Sequence, residues 1–371
     1  MKILHVETGQ HLYGGAKQVE FLLDGLQKKG LDNVLCAPKG SEIAKRAMAN
    51  HIPCRTTDSA GDVDLKFLWQ IRRIMSQEKP DVVHLHSRRG ADVLGALAAR
   101  SLGLPTVLSR RVDNREAKWV VSLKYKMYDH IITISRGILD VLLDEGVDPH
   151  KITCVHSSVD ASQYQQPATR EAFLQEFNLP EQSLTVGVIA QLIQRKGHRY
   201  LLDVMPKLIE QYPQLQVLIF GKGPLDAELK AKVLEQGLQG HIHFTGFRDD
   251  LHHWLGCLDL VVHPADIEGL GVSLLQAAAA GVPIIASRTG GIPEIVHHRE
   301  NGLLIDIGDK QALQAAISEL AGDPVTRKAM GEKAQMLVTQ SFSLQQMIDG
   351  NYAVYQRVLS ERRHSNKNKQ G

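Results

Sequence analysis

The sequence predicts an α/β protein of two Rossmann-like domains, each a doubly wound parallel sheet covered by helices. Three observations predict this class. Short apolar runs alternate with longer amphipathic runs, the alternation restarts after Pro180, and 371 residues exceed what one core usually serves. Ligands of open α/β sheets bind outside the carboxyl ends of the strands. We therefore expect the two domains to face each other across a ligand cleft.

The first domain is predicted from five apolar runs separated by segments with helical spacing. Gly14 and Gly15 follow the first run and open the first helix. The expected strands lie at 3–6, 33–37, 82–86, 106–108 and 131–134.

The second domain repeats this pattern after a linker between Pro167 and Pro180. Amphipathic helices from 324 to 359 end the fold, and the polar, basic tail has too little apolar area to order. The expected strands lie at 185–190, 216–220, 241–244, 258–262 and 283–286. The expected division is a domain at 1–170, a domain at 180–340, a helix at 341–360 packing back toward the first domain, and a disordered tail at 361–371.

Composition limits the functions that the chain can have. The net charge of +2 gives no case for a nucleic-acid partner. No stretch approaches the roughly 18 apolar residues that span a bilayer, and the N-terminus is typical of a strand rather than a signal peptide. Four scattered cysteines indicate free thiols in a reducing compartment. We expect a cytoplasmic protein.

The segment around Glu268 carries the strongest functional signal. The carboxylate stands beside Gly269, Leu270 and Gly271, at the start of an Ala-rich helix that contains Gln276. Glycine lets a ligand approach the backbone, and a helix start attracts phosphate. A glutamate before a helix often only complements the helix dipole, but the flanking glycines favour a nucleotide-sugar site.

Three other candidates follow predicted strands. The Gly14–Gly15 turn would admit a phosphate, or is a tight turn common to α/β domains. His86, at the carboxyl end of its strand, is a better cleft candidate than His84, although a lone histidine is often structural. Arg195 and Lys196 can neutralise a departing diphosphate, or form a solvated basic loop.

A basic stretch from 86 to 126 holds nine Lys/Arg against three acids. Within it, Arg88, Arg110 and Arg111 are predicted to bind an anionic acceptor. Trp119 and Leu123 alternate with lysines, which is typical either of a peripheral membrane contact or of a helix packing on its own core.

No metal site is predicted. Asp62 and Asp64 have the spacing of a metal-binding pair, but they precede a helical pattern and a helix N-terminus explains them better.

On these residues the chain resembles the retaining GT-B glycosyltransferases of family 4 over nearly its whole length. The matched positions are Gly14, Gly15, Asp81, His84, His86, Lys196, Gly197, Glu268, Gly269, Leu270, Gly271, Gln276, Gly281, Val282, Pro283, Gly290 and Gly291.

The resemblance implies roles for these residues. Lys196 would contact the donor phosphates, Glu268 the sugar and Gln276 the ribose, and His86 would lie near the sugar and the acceptor. Gly221, Phe247 and Arg248 would lie near the ribose and base.

The resemblance also implies a reaction. It is a metal-independent transfer, with retention, from a nucleotide-diphosphate sugar, with a UDP-sugar as the expected co-substrate and no further cofactor. The acceptor would be a glycan or glycolipid of lipopolysaccharide or cell-surface polysaccharide synthesis, reached by peripheral contact with the cytoplasmic face of the inner membrane.

Two departures from the family pattern leave alternatives open. Gln276 stands where the family has glutamate, and Ala190-Gln191 stands where it has Gly-Arg. One alternative is a catalytically silent GT-B scaffold or partner subunit. Another is a different enzyme on the same fold, such as an epimerase or a phosphorylase. The sequence leaves the donor sugar, nucleotide, linkage and oligomeric state open.

Overall fold

A computed structural model describes residues 1–58, 65–86 and 91–367. The chain divides into two compact units, Met1–Ser158 with Leu344–Gly371, and Val159–Ser343. Each unit contains one parallel sheet with helices packed around it, so the predicted α/β class with two Rossmann-like domains is confirmed. Among the described residues, no helix combines the length and the apolar character that crossing a bilayer requires.

The sheet of the first unit has seven parallel strands in the order β3-β2-β1-β4-β5-β6-β7. Its strands are β1 Lys2–Val6, β2 Asp32–Pro38, β3 Cys54–Thr57, β4 Val82–Leu85, β5 Thr106–Arg110, β6 His130–Thr133 and β7 Ile152–Cys154. The helices between them are α1 Gly14–Lys28, α2 Glu42–Ala49, α3 Leu65–Glu78, α4 Ala91–Ser101, α5 Lys118–Lys124 and α6 Arg136–Asp144.

The sheet of the second unit has six parallel strands in the order β10-β9-β8-β11-β12-β13. Its strands are β8 Leu184–Ile189, β9 Leu215–Phe220, β10 Ile242–Gly246, β11 Leu260–His263, β12 Ile284–Ser287 and β13 Gly302–Ile305. The helices are α7 Arg170–Glu176, α8 His198–Gln211, α9 Asp226–Glu235, α10 Leu251–Trp254, α11 Val272–Ala279, α12 Ile292–Ile295, α13 Lys310–Gly322 and α14 Pro324–Ser341.

Strand order in each sheet reverses at one point, between β1 and β4 in the first unit and between β8 and β11 in the second. At such a switch point the two connections leave in opposite directions and open a crevice at the carboxyl ends of the strands. The loops after these four strands are therefore where each unit can hold a ligand.

Three strands are absent from the sequence-based prediction: β3, β7 and β13. All three lie at sheet edges, where one neighbour is missing and short runs suffice. β3 contains Arg55 and exposes much of its length, so it lacks the apolar run that marks a central strand.

The boundary between the units falls at 158/159 rather than between residues 170 and 180. The physical reason is that the predicted linker packs on the second unit. Arg170 binds Asp259 at 3.1 Å, and the ring of Phe173, which is fully buried, lies 6.5 Å from that of Trp254.

The final helix, α15 Leu344–Lys367, belongs to the first unit. A Cβ on Gly25 of α1 would meet the Ile348 side chain at 2.1 Å, so the two helices pack closely. The helix continues past residue 361, where the sequence predicts disorder, because Arg362 holds it. Its guanidinium bonds Asp129 at 3.0 Å and the carbonyl of Leu104 at 3.3 Å.

Candidate active site

A glycine brings the two switch-point loops of the second unit together. Gly197, the N-cap of α8, has φ +70°, and a Cβ there would lie 1.8 Å from the carbonyl oxygen of Pro264. This conformation favours glycine, and only glycine allows so close an approach. The loop after β8 therefore contacts the loop after β11, and Lys196 reaches Glu268.

Glu268 is held by three donors. Lys196 Nζ lies 2.5 Å and His263 Nε2 2.9 Å from Oε2, and the backbone N–H of Gly269 donates to Oε1 at 3.1 Å. Burial alone would raise the pKa of this carboxyl. The hydrogen bond from His263 and the charge of Lys196 outweigh it and hold the pKa well below the usual range. The site therefore contains a fixed carboxylate with one oxygen, Oε1, turned away from the lysine.

Two histidines complete this cluster, and the sequence-based prediction did not include them. His263 is the last residue of β11, and burial lowers its pKa, so it donates to Glu268 as a neutral ring. His198 begins α8 and is buried, and neither of its ring nitrogens has a hydrogen-bond partner in the described part of the chain. Burial, with smaller contributions from His263 and Lys196, lowers its pKa to about 4. Their position at the switch point was the signal available in the sequence.

The start of α11 lies beside the carboxylate. Gly271 has φ +97° and caps the helix without a side-chain hydrogen bond, so the first N–H groups of α11 keep their capacity to bind an anion. Leu270 is buried, so only its backbone can face a ligand. The N–H of Gly291 bonds the carbonyl of Gly269 at 3.2 Å and fixes the turn.

Gln276 lies one turn further along α11 and is partly buried. Burial raises the pKa of the Tyr164 phenol to about 12, and a hydrogen bond with the Gln276 side chain opposes that rise. Tyr164 therefore shares the amide that the sequence assigns to a ribose hydroxyl.

The predicted role of Arg248 in donor binding meets a competing set of contacts. Its guanidinium forms ion pairs with Asp250 at 2.6 Å and Glu176 at 2.8 Å. Its N–H groups therefore already bind carboxylates within the fold. Phe247 exposes half of its surface. Residue 221 must be glycine for a structural reason, since a Cβ there would lie 1.9 Å from the carbonyl oxygen of Ala190. Arg195, next to Lys196, is partly exposed.

In the first unit, Arg111 lies against the start of α1. A Cβ on Gly15 would be 3.6 Å from Arg111 Cδ, and Arg111 Nε is buried with no hydrogen-bond partner among the residues that the structure describes. Burial lowers the pKa of Arg111, and the nearby Glu7 partly opposes this. Helix α1 begins at Gly14 with no side-chain cap and no acid in its first turn. The helix start and Arg111 together make up a candidate anion-binding corner.

Arg110, predicted to share that role, points elsewhere. It is buried, its Nη2 donates to the carbonyl of Asn114 at 2.7 Å, and it lies 3.7 Å from the carboxylate of Glu116. Arg110 is the last residue of β5 and Arg111 follows it outside the strand, so the two neighbouring arginines have different surroundings. Arg88 and the aspartates Asp62 and Asp64 lie outside the described residues.

Three buried histidines occupy the switch point of the first unit: His5 on β1, His84 on β4 and His86 directly after β4. His84 bonds the Tyr355 hydroxyl at 2.6 Å and Ser109 Oγ at 2.8 Å. His86 keeps one buried ring nitrogen, Nδ1, without a partner in residues 1–58, 65–86 and 91–367. Ring nitrogens of the three lie within 4.8 Å of one another, a spacing that could also hold a metal ion.

Comparisons with known proteins agree with this architecture. The chain is 25% identical over 373 residues to the UDP-Gal:alpha-D-GlcNAc-diphosphoundecaprenol alpha-1,3-galactosyltransferase of Escherichia coli, covering 94% of this chain and 95% of that protein. It is 27% identical over 286 residues to the lipopolysaccharide core biosynthesis mannosyltransferase LpsB of Rhizobium meliloti (strain 1021), covering 74% and 79%. The structure of Anabaena HepE in complex with UDP matches 96% of this chain and 100% of that one, with a TM-score of 0.85 and 19% identity.

Two family models match the chain, one after the other. The model described as Glycosyltransferase Family 4 matches residues 13–163, and the model described as Glycosyl transferases group 1 matches residues 169–336. Together they include Gly14, Gly15, His86, Lys196 and Glu268. The protein therefore belongs to the family 4 glycosyltransferases, with the GT-B fold.

Proposed function

We propose that this glycosyltransferase moves a sugar from a nucleoside-diphosphate donor to an anionic, lipid-linked glycan acceptor, with retention and without a metal. The observation that carries the proposal is the contact of Lys196 and Glu268 beside the uncapped start of α11. A cation, a fixed carboxylate and free helix N–H groups match the three parts of such a donor: diphosphate, sugar hydroxyls and leaving oxygen.

Positive charge at this cluster stabilises the departing diphosphate. Lys196 holds a charge next to the start of α11, where the helix dipole adds a partial positive charge. Among the described residues, the N–H of Gly269 is the one donor to Glu268 Oε1, so this oxygen has spare acceptor capacity for a sugar hydroxyl. These groups supply the electrostatic part of transition-state stabilisation.

The contacts of Glu268 support retention through a front-face departure. A retaining enzyme with a covalent intermediate needs a free carboxylate nucleophile about 5 Å from its acid partner. Glu268 is bonded to Lys196, His263 and Gly269, which lowers its nucleophilicity. The leaving phosphate then accepts the proton of the acceptor hydroxyl. A glycosyl group trapped on any side chain would contradict this mechanism.

Relatives of the chain support a phosphorylated lipid acceptor. The Escherichia coli relative is a galactosyltransferase of GlcNAc-diphosphoundecaprenol, LpsB is a mannosyltransferase of lipopolysaccharide core biosynthesis, and a Mycobacterium tuberculosis relative, 33% identical over 49% of this chain, is a phosphatidylinositol monomannoside mannosyltransferase. The anion-binding corner of Arg111 and α1 fits such a phosphate. We place the reaction in lipopolysaccharide or cell-surface polysaccharide synthesis at the cytoplasmic face of the inner membrane.

Thermal unfolding with UDP, GDP, ADP and CMP tests the donor site. A nucleotide at 100 times its dissociation constant stabilises the fold by about 2.7 kcal/mol, a shift of roughly 2–4 °C. We expect a nucleoside diphosphate, and UDP above the others, to raise the melting temperature more than CMP does. No shift with any nucleotide would reject the donor site and favour a silent scaffold.

Changing Gln276 to glutamate should keep or raise nucleotide affinity. A carboxylate accepts a charge-assisted hydrogen bond from a ribose hydroxyl and can still accept from Tyr164. We expect up to about a tenfold lower Kd for the bound nucleotide by calorimetry. Tyr164→Phe is the control, since it removes the competing phenol and leaves the amide. A large loss of affinity in Gln276→Glu would show that the ribose does not lie there.

Trp119 and Leu123 form an apolar surface on α5, with 70% and 64% of each exposed. Lys118 and Lys126 are exposed beside them, whereas Tyr125 is buried. Of the two interpretations open from the sequence, this arrangement supports the membrane contact, because the two largest apolar groups face outward. Each basic group near anionic lipid adds about 1 kcal/mol.

Replacing Trp119 and Leu123 together with serine should weaken binding to vesicles that contain phosphatidylglycerol by about tenfold or more. Burial of two large apolar side chains in lipid would be lost. Cosedimentation measures the change. Met48→Ser, at an exposed residue of α2 in the same unit, should have no effect. Equal binding of both variants would contradict the proposed membrane surface.

A further inference from the structure

His86 is the only one of the three switch-point histidines with a ring nitrogen that lacks a partner. His84 is bonded at both nitrogens, to Tyr355 and Ser109. His5 is also bonded at both, with Nε2 at 3.3 Å from Asn33 Oδ1 and Nδ1 at 3.0 Å from His86 Nε2. Five of the six nitrogens are thus occupied, and the sixth, Nδ1 of His86, is buried and unpaired.

The proton positions follow from Asn33. Its amide NH₂ lies 3.4 Å from the carbonyl of Leu23 and 3.3 Å from that of Leu31, which can only accept. The amide oxygen therefore faces His5 and must accept from Nε2–H. Burial lowers the pKa of His5 to about 4, so the ring is neutral and carries one proton. Its Nδ1 is then a bare lone pair.

The proton position in His86 follows from that in His5. Because His5 Nδ1 can only accept, His86 Nε2 must donate the proton between them. Burial, with the nearby rings and Arg111, holds the pKa of His86 well below 6.5, so this ring is also neutral. Its single proton is used, and Nδ1 presents a lone pair.

We propose that Asn33 is a positioning residue which, through His5, fixes His86 in the Nε2–H tautomer. His86 Nδ1 then accepts a hydrogen bond from a ligand hydroxyl and does not bind a phosphate. A lone pair accepts from a sugar O–H and repels an anion. This inference rests on the proposed function of His86 in sugar transfer and adds the chemical class of the group that it contacts. It separates His86 from Arg111, which binds the anionic part.

Long-range ¹⁵N–¹H NMR of protein labelled at histidine reports the tautomer without any activity measurement. His86→Gln and His5→Gln assign the two rings by loss of signal. We expect wild-type His5 and His86 both protonated at Nε2 and bare at Nδ1. A proton on Nδ1 of His86 would overturn the proposal. So would stoichiometric zinc bound at the three rings in the purified protein, because a metal would take the lone pairs.

Asn33→Leu removes the acceptor at similar size, and Asn33→Asp restores an acceptor that can fix the same tautomer. In Asn33→Leu we expect His86 to populate the Nδ1–H form and kcat/KM for transfer to fall about tenfold, the loss of one hydrogen bond. UDP binding should stay unchanged, and Asn33→Asp should recover the His86 spectrum and part of the rate. An unchanged His86 spectrum in Asn33→Leu would overturn the proposal. If wild-type protein transfers no sugar, the proposed function fails while the NMR result still decides the tautomer.

Discussion

Sugar transfer should fall by about 100-fold or more when Glu268 is replaced by glutamine, since one preorganised polar group at a reacting centre typically contributes 10²–10³ in rate. The amide is isosteric but neutral. It cannot hold Lys196 Nζ by charge, and with its oxygen in the place of Oε2 its NH₂ group would face the N–H of Gly269, which also donates. Steady-state transfer with a UDP-sugar measures the loss, and nucleotide binding by thermal shift measures the donor site separately.

Asp203→Asn is the matched control for that substitution. Asp203 also lies in the second unit and is also paired with two basic groups, Lys232 at 2.5 Å and Lys310 at 2.6 Å. It contacts none of the cluster residues, so its loss should leave the rate within about twofold of wild type, as for an exposed ion pair. If Glu268→Gln transfers sugar as fast as Asp203→Asn, Glu268 has no part in the reaction.

Acid stability should also differ between the wild type and Glu268→Gln. The pKa of the Glu268 carboxyl is lower in the folded protein than its ordinary value of 4.5. The ionised group therefore stabilises the fold fully above pH 4.5, and this contribution is lost as the pH falls toward the lower folded value. Glutamine does not titrate, so it makes no such pH-dependent contribution. The unfolding free energies of the wild type and Glu268→Gln, measured as a function of pH, should therefore converge in acid.

Most of the fold could be predicted because the central strands are buried on both faces and appear as apolar runs. β8 and β9, which are buried almost throughout, show this most clearly. Three of the four edge strands, β3, β7 and β13, were missed, and in β3 polar residues such as Arg55 interrupt the apolar run. The predicted tail at 361 was wrong because Arg362 makes contacts with Asp129 that only a folded chain creates.

The candidate site was predictable to the level of loops but not of side-chain contacts. Lys196 and Glu268 follow strands on either side of a switch point, so their proximity follows from topology. The roles of Asn33 and His5 depend on a hydrogen-bond chain between β2, β1 and β4, and no local pattern marks it. The hydrogen bond between Gln276 and Tyr164 could not be predicted either, because the two residues are distant in sequence.

Arg111→Gln should reduce transfer to a phosphorylated lipid acceptor by about 10- to 100-fold while nucleotide binding and thermal stability stay near wild type. The substitution removes the cation at the start of α1, where the unpaired Nε of Arg111 and the uncapped helix together can bind a phosphate. Transfer to a diphosphate-linked acceptor, compared with transfer to its dephosphorylated counterpart, isolates the charge: only the first should respond.

Arg110→Gln provides the contrast, because the two arginines are neighbours in sequence with different surroundings. Arg110 is buried and bonded to Asn114 and Glu116, so its loss should lower the unfolding free energy by about 1–3 kcal/mol, the cost of leaving buried partners unpaired. Its remaining folded protein should keep its acceptor preference. The reverse pattern would be a loss of acceptor preference in Arg110→Gln and a loss of stability in Arg111→Gln. It would show that the anion binds at Arg110 and not at Arg111. A changed UDP affinity in Arg111→Gln would instead assign Arg111 to the donor, and the acceptor phosphate would then need a different partner.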